Sequence, residues 1–106
     1  MKRDRRLPLT ETVYYILMCL IEPAHGYLIM SRVEEASDGQ VRLAPGTLYG
    51  ALENLSKQGL IARVSSGDSR RKVYQITELG ESLLAQDADR MAHMIRAFEQ
   101  LHRRRG

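Results

Sequence analysis

The sequence predicts a mainly α-helical fold that includes a small β-hairpin and ends in one long helix. Three observations predict this fold class. Hydrophobic residues recur at helical spacing in three stretches between positions 10 and 58, and each stretch ends at turn-forming residues. Two short segments of β type, 60–66 and 72–77, flank a polar turn. From Thr77 to about Arg104 the helical spacing continues without interruption.

Length and composition indicate one ordinary globular unit. A chain of 106 residues has room for a single modest core, and its 43% hydrophobic and 27% charged residues are typical of soluble domains. No apolar run approaches the ~20 residues needed to span a bilayer. The basic N-terminus is not followed by the apolar core of a signal peptide. We therefore expect a cytoplasmic protein with no membrane partner.

Residues that could carry catalysis or hold a metal are sparse. Cys19 is the only cysteine, so no intrachain disulfide can form, and its apolar surroundings predict a buried, inert thiol. His25, His93 and His102 are not spaced like metal ligands. The sequence contains no nucleophile–base pair and no phosphate-binding loop. We expect neither an enzyme nor a cofactor.

The first predicted helix begins at Thr10, which can cap it, and Glu11 places a negative charge in its first turn. From Val13 to Ile21 this helix is apolar almost all round, whereas a surface helix has a polar face. Such a helix must be covered on two sides, which a chain of this size can hardly do alone. We therefore expect a partner subunit to cover part of it.

Two further helices follow. Residues 22–26 break the first helix and start a second, which continues to about Ser37 and ends at Asp38-Gly39. Pro45 suits the first turn of the third helix, and Gln58-Gly59 ends it. The apolar stripe of this third helix consists of Leu48, Ala51, Leu52 and Leu55.

The predicted hairpin joins Leu60–Ser66 to Lys72–Thr77, with Tyr74 and Ile76 on one face of the second strand. Its turn, Gly67-Asp68-Ser69-Arg70-Arg71, is polar and contains a glycine. Three helices followed by a hairpin is the element order of a winged helix-turn-helix, in which the hairpin is the wing.

The last predicted helix is capped by Thr77 and has Glu78 in its first turn. Apolar residues follow it at alternating spacings of four and three, as in the contact stripe of a short coiled coil. A helix that extends past its domain has no intrachain surface left to cover this stripe, so we expect the first helix and the same helix of a second subunit to do so. The chain is thus predicted to form a homodimer through Leu84, Ala88, Met91, Ile95 and Phe98, with Met94 and Leu101 widening the stripe.

In a helix-turn-helix the second helix of the pair lies in the DNA major groove. Here that helix is Pro45–Gln58. Glycines on its outer face would allow close approach to a phosphate, hydroxyls and a lysine would contact the backbone, and an asparagine amide could read an adenine edge. An ordinary exposed helix face could carry the same residues. The candidates are Pro45, Gly46, Thr47, Tyr49, Gly50, Asn54 and Lys57.

The net charge of +3 is too small to indicate nucleic-acid binding by itself. The placement of the basic residues is more informative. Arg70, Arg71 and Lys72 lie at the tip of the wing, where they can reach a DNA phosphate. Three consecutive cations at that place favour DNA contact over a solvated turn. The basic runs at the two termini fit solvated tails better than DNA contacts, although both readings stay open.

Several short motifs resemble the PadR family of bacterial transcriptional regulators between about Thr10 and Leu84. The pairing of a Gly-Thr-Leu-Tyr helix with an Arg-Lys-Val-Tyr-x-Ile-Thr wing is fairly specific. The matching residues are Tyr15-Ile16-Leu17, His25-Gly26-Tyr27, Gly46-Thr47-Leu48-Tyr49, Leu52, Leu55, Gly59-Leu60-Ile61, Arg71-Lys72-Val73-Tyr74 and Ile76-Thr77-Glu78-Leu79-Gly80.

The resemblance implies a three-helix winged domain with a single C-terminal dimerisation helix, as in the compact branch of that family. It also implies DNA contact by Thr47, Tyr49 and Arg70 to Lys72, and a repressor that is released from DNA by a small aromatic or hydrophobic effector. Candidate effector residues are Tyr14, Tyr15, Met18, Met91, Met94, Ile95 and Phe98, whose methionines and aromatic rings suit an adaptable site. The same residues also suit a plain dimer interface.

Three positions depart from the family pattern. Ala44 replaces a capping serine, which weakens the helix start by about 1 kcal/mol. Gly50 replaces a proline, and Glu53-Asn54 stands where basic residues are frequent. These departures put the affinity and the base preference in doubt.

The sequence therefore predicts a flexible basic arm at 1–9, a winged helix-turn-helix DNA-binding domain at 10–77 and a dimerisation helix at 78–106. The predicted partners are double-stranded DNA and a second copy of the chain. The alternative is a winged-helix module that binds protein without DNA, which the mild net charge and Glu53 keep open.

Overall fold

The computed structural model describes residues 3–67 and 70–105. Predictions for Met1, Lys2, Asp68, Ser69 and Gly106 lie outside the described residues. Along the described chain the elements follow the predicted order, with one additional strand before the second helix. They are α1 (Glu11–Cys19), β1 (Ala24–His25), α2 (Gly26–Ala36), α3 (Pro45–Lys57), β2 (Ile61–Val64), β3 (Val73–Ile76) and α4 (Glu78–Arg105).

The helix ends follow from local capping. The hydroxyl of Thr10 accepts a hydrogen bond from the amide of Val13 at 3.1 Å, so the predicted cap of α1 is confirmed. The hydroxyl of Thr77 accepts one from the amide of Gly80 at 3.1 Å in the same way. After α3, Gly59 adopts a φ of 75°, the left-handed conformation that stops a helix.

The three strands form one antiparallel sheet in the order β1-β3-β2. Both predicted wing strands are present, and Arg63 of β2 pairs with Tyr74 of β3. On the other edge of β3, His25 of β1 pairs with Val73. A strand of two residues has no alternation to recognise, so the sequence predicts only a helix break at this position.

One hydrophobic core joins α1, α2, α3, the sheet and the start of α4. The apolar stripe predicted for α3 faces this core. The most deeply buried apolar side chains are Ile16, Leu17, Leu20, Ile29, Val33, Leu48, Leu52, Leu60, Ile61 and Leu83. In the described part of the chain, no helix combines the length and apolarity that crossing a membrane requires.

The covering of α1 differs from the prediction. This helix packs against α2 on one side and α4 on another, and its outer residues Val13, Tyr14, Tyr15 and Met18 are partly buried within the chain. The chain therefore covers more of α1 than the sequence predicts, and the expectation that a partner subunit covers part of this helix stays a prediction. The chain itself supplies the second cover, because α4 folds back over α1.

The N-terminal arm is anchored. Leu7 is buried in the core, which the prediction of a flexible arm over 1–9 did not include. Before it, Arg6 donates to the Asp4 carboxylate from its backbone amide and its guanidinium. These hydrogen bonds lower the pKa of Asp4 to about 2. The described arm residues thus form a local turn rather than a loose tail.

The contact stripe predicted on α4 divides into two parts. Leu84 is buried at 8% exposure and belongs to the core of its own chain, so its assignment to the dimer interface is corrected. Ala88 and Met91 are partly buried. Ile95 and Phe98 are 58% and 66% exposed. The unpartnered apolar surface of α4 therefore lies in its C-terminal half.

Close packing of α4 on the wing depends on a glycine. A Cβ atom at Gly80 would lie against the carbonyl oxygen of Leu60 and 2.7 Å from Cγ1 of Ile76. The first of these neighbours is backbone and cannot move aside without shifting the link between α3 and β2. Only a residue without a side chain lets the helix approach this closely.

Replacing Gly80 by alanine is expected to lower the free energy of unfolding by about 1–3 kcal/mol, the usual cost of overpacking a well-packed site. Urea denaturation measures this change. Gly50→Ala is the matched control, because no atom outside its local backbone lies within 4 Å of a Cβ there, and alanine is favoured over glycine in a helix. Equal stability of the two variants would contradict the packing described here.

Candidate nucleic-acid interface

The two faces of α3 have opposite environments. Leu48, Leu52 and Leu55 are buried, whereas the other face is open to solvent. As expected, Ala44 at the start of the helix makes no side-chain capping bond and Pro45 occupies the first turn. All predicted DNA-contact residues of this helix are exposed, namely Pro45, Gly46, Thr47, Tyr49, Gly50, Asn54 and Lys57.

A groove of about 900 Å³ separates the exposed face of α3 from the wing. The start of α2 forms its floor between them. Its lining comes from β1, α2, α3, β2, β3 and the turn of the wing. The residues are His25, Gly26, Tyr27, Tyr49, Glu53, Ser56, Lys57, Arg63, Arg70, Arg71, Lys72 and Tyr74.

The charge of this groove is strongly positive. Among the described residues that line it, five side chains are cationic (Lys57, Arg63 and the three of the wing tip) and Glu53 is the one carboxylate. Glu53 and Lys57 form an ion pair at 3.4 Å, and both side chains are more than two-thirds exposed. Exposed pairs of this kind contribute at most about 1 kcal/mol, so the pair leaves the groove attractive to a polyanion.

The structure brings some predicted residues together and leaves others apart. Tyr49 and Lys57 meet the wing residues 70–72 in the groove. The residues at the start of α3, together with Gly50 and Asn54, are exposed but do not line it. The amide oxygen of Asn54 accepts a hydrogen bond from the side chain of Gln58, which occupies part of the edge that would read a base.

Sequence reasoning missed the contribution of β1, α2 and β2. His25 and Tyr27 reach the groove because β1 pairs with β3, and this pairing between distant segments has no local signal. Arg63 lies on β2 beside the wing cations. A basic residue in the first wing strand was a usable signal, since that strand borders the same tip.

Tyr49 is held against the backbone of α2. A Cβ at Gly26 would lie 2.6 Å from the phenol oxygen of Tyr49, so only a glycine lets the ring lie this close. The ring is 50% exposed, and its free side faces the groove. Gly26 and Tyr49 thus place a hydroxyl at a defined point between α3 and the wing.

The wing is also joined to β1 by a side-chain contact. Nη1 of Arg71 lies 3.3 Å from Nε2 of His25. A guanidinium can only donate, so the imidazole nitrogen accepts. On the wing itself, the hydroxyl of Ser66 donates to the carbonyl of Arg71 at 3.4 Å.

Comparison with known families decides the relationship. Residues 15–86 match the transcriptional regulator PadR-like family. The chain belongs to this family. The match extends from α1 through the wing into α4, and it confirms the resemblance seen in the sequence.

Solved structures of PadR-like and related regulators have the same fold. A transcriptional regulator from Clostridium thermocellum superposes with a TM-score of 0.68 at 26% identity, covering 83% of this chain and 89% of that one. A PadR-like transcription factor from Bacteroides fragilis gives 0.71 at 26%, covering 85% and 88%. RosR of H. salinarum gives 0.71 at 27%, covering 84% and 79%.

A curated relative is much longer than this PadR-like chain. It is an uncharacterised 37.1 kDa protein in transposon TN4556 of Streptomyces fradiae, 34% identical over 93 residues. The match covers 85% of this chain but 26% of that protein. The chain therefore spans about a quarter of the length of that relative.

Proposed function

We propose that this PadR-like chain binds double-stranded DNA as a homodimer and regulates transcription. The observation that carries the proposal is the cationic groove between the exposed face of α3 and the wing. It joins the two elements that a winged helix-turn-helix presents to DNA, and the five cations and one carboxylate among its described lining residues match a polyphosphate backbone.

The two walls of the groove have different roles in this proposal. The start of α3 enters the major groove, where the exposed Thr47 meets base edges, and Asn54 is exposed further along the same helix. The wing cations, Arg63 and Lys57 contact phosphates, which fix the position of the protein on the duplex without reading its sequence. The hydroxyl of Tyr49 lies between these two sets and donates to a phosphate.

We further propose that two copies pair through the C-terminal half of α4. Four large apolar side chains, Met94, Ile95, Phe98 and Leu101, are 47%, 58%, 66% and 61% exposed at spacings of one, three and three residues. A stripe of this kind on an otherwise polar helix is typical of a helix–helix interface. Pairing through it would present two copies of α3 to two half-sites of one operator.

Action as a repressor that responds to a small apolar or aromatic effector stays part of the proposal. The candidate effector residues divide between two surfaces. Tyr14, Tyr15 and Met18 are partly buried on α1, whereas Met94 and Phe98 are exposed on α4. A second copy that covers α4 could close a site between these surfaces, and calorimetric titration with aromatic acids tests it.

The alternative function is binding of a protein through α4 without DNA. The exposed stripe of α4 is compatible with it, but the cationic groove is not used by it. Co-purification of a stoichiometric protein partner with no retention on DNA would favour this alternative.

Replacement of Arg70, Arg71 and Lys72 by alanine is expected to weaken DNA binding by at least about tenfold for all sequences alike. Each lost phosphate contact lowers the slope of log affinity against log salt by about 1, so the slope falls by about 3 per bound protomer. Fluorescence anisotropy with operator and unrelated duplexes at several salt concentrations measures both quantities.

The control for this variant is replacement of Arg103, Arg104 and Arg105 by alanine. These residues lie in the last turn of α4, and their replacement removes the same charge. The control is expected to bind DNA within about threefold of the natural chain. An equal loss in both variants would assign the effect to net charge and remove the wing from the mechanism.

Gly50→Ala is expected to keep or raise stability and yet weaken DNA binding by about tenfold, equivalent to about 1.4 kcal/mol. The added methyl group meets nothing within the chain but separates the α3 backbone from a phosphate. Thermal unfolding and anisotropy on the same samples provide the two measurements. The salt slope stays constant because no charge is removed, and unchanged affinity would refute close backbone approach at this position.

Phe98→Glu is expected to convert the dimer to a monomer, because it buries a charge in the proposed interface. Light scattering at micromolar concentration measures the mass. Gln100→Glu adds the same charge to an exposed position of the same helix, on the side away from the stripe, and is expected to stay dimeric. A natural chain that is monomeric under these conditions would rule out the dimer.

A further inference from the structure

We propose that His25 is a positioning residue for the wing, whose imidazole holds the guanidinium of Arg71 in place over the groove. This inference rests on the proposed DNA binding for its consequence, but not for its structural basis. Nε2 of His25 lies 3.3 Å from Nη1 of Arg71. The two residues are 46 positions apart in the sequence.

The chemistry of the two side chains determines the direction of the hydrogen bond between them. A guanidinium has donors and no acceptor, so Nε2 of His25 must carry the lone pair and the ring proton must reside on Nδ1. The contact therefore selects one tautomer of the neutral imidazole. That choice can be observed in the free protein, without any DNA.

The backbone around His25 is fixed independently of its side chain. His25 pairs with Val73 across the sheet, two residues from Arg71. It also occupies the N-cap position of α2, where its side chain makes no capping hydrogen bond. The imidazole is thus not needed for the local fold and lies in the groove beside the wing.

Fixing Arg71 has a consequence for binding. A long arginine side chain on a hairpin loses rotamer freedom when it contacts a phosphate, and a side chain already held in place loses less. His25 directly precedes α2, the first helix of the helix-turn-helix pair. Its contact with Arg71 therefore fixes the position of this wing cation relative to α3. The groove then presents its cations in one arrangement before DNA arrives.

Two substitutions at His25 distinguish loss of the hydrogen-bond acceptor from loss of folding. His25→Gln retains an oxygen near the place of Nε2, whereas His25→Asn puts its amide near Nδ1, so residue 25 no longer offers an acceptor to the Arg71 guanidinium. Asparagine is also a favourable N-cap residue, so His25→Asn is expected to leave the melting temperature unchanged or raise it. A loss of affinity in this variant is therefore not a loss of folding.

For operator DNA we expect His25→Asn to lower affinity about fivefold, the effect of one ordinary hydrogen bond, and His25→Gln to stay within about twofold. In an Arg71→Ala background, His25→Asn is expected to have no further effect. Equal losses in the Gln and Asn variants, or a loss by His25→Asn that persists without Arg71, would overturn the positioning role. The persistent loss would instead assign a direct DNA contact to His25.

Nitrogen-15 NMR of the imidazole in the free protein tests the contact itself. The expected result is a neutral ring with the proton on Nδ1, and a change in the Nε2 shift on Arg71→Ala. A proton on Nε2 would overturn the inference whatever the DNA result. If the natural chain binds no DNA while the NMR result is as expected, the proposed function fails and the His25–Arg71 contact stands.

Discussion

The hydroxyl of Thr77 lies where α3, the wing and α4 meet. It donates to the carbonyl of Gly59 at 2.6 Å and accepts from the amide of Gly80 at 3.1 Å, while the amide of Thr77 donates to the carbonyl of Leu60 at 3.0 Å. One residue thus caps α4 and ties it to the end of α3. Because β3 ends one residue earlier, at Ile76, the separation of α3 from the wing is fixed here, and the width of the cationic groove depends on it.

A second set of contacts fixes the other side of the groove. The amide of Ile76 donates to the carbonyl of Leu20 at 2.8 Å, and the pairing of β1 with β3 places His25 beside the wing. Arg32 donates to the carbonyls of Cys19 and Glu22, which satisfies the C-terminal end of α1. The turn between α1 and α2 is therefore rigid, and the floor of the groove is as well defined as its walls.

Local signals in the sequence were sufficient for most of the fold. The leucine stripe of α3, the caps at Thr10 and Thr77 and the glycine stop at Gly59 are short-range effects that are readable from neighbouring residues. The cationic wing tip is equally local. Five of the seven predicted α3 residues nevertheless lie outside the groove, because a helical wheel places residues on a face without showing which part of that face another element approaches.

The remaining features depend on contacts between distant segments. β1 and the groove residue His25 could not be predicted, since they depend on the pairing of β1 with β3. Burial of Leu84 and the cover over α1 have one common cause, the return of α4 across the domain. A periodic apolar stripe has the same sequence pattern whether its own chain or a second copy covers it. The sequence therefore could not show at which residue of α4 the contacts with its own chain end.

That point is marked by Asp87. Its side chain is 1% exposed and is paired with Arg90 at 2.6 Å, an arrangement that keeps a buried carboxylate from being left uncompensated. Before it, Leu83 and Leu84 belong to the core; after it, Ala88 and Met91 are partly buried and the apolar side chains from Met94 onward are exposed. The helix is continuous across this boundary, from Glu78 to Arg105. In a dimer formed through the exposed stripe, the angle at which two copies of α4 cross would therefore set the spacing of the two α3 helices, with no hinge in α4 to absorb a change.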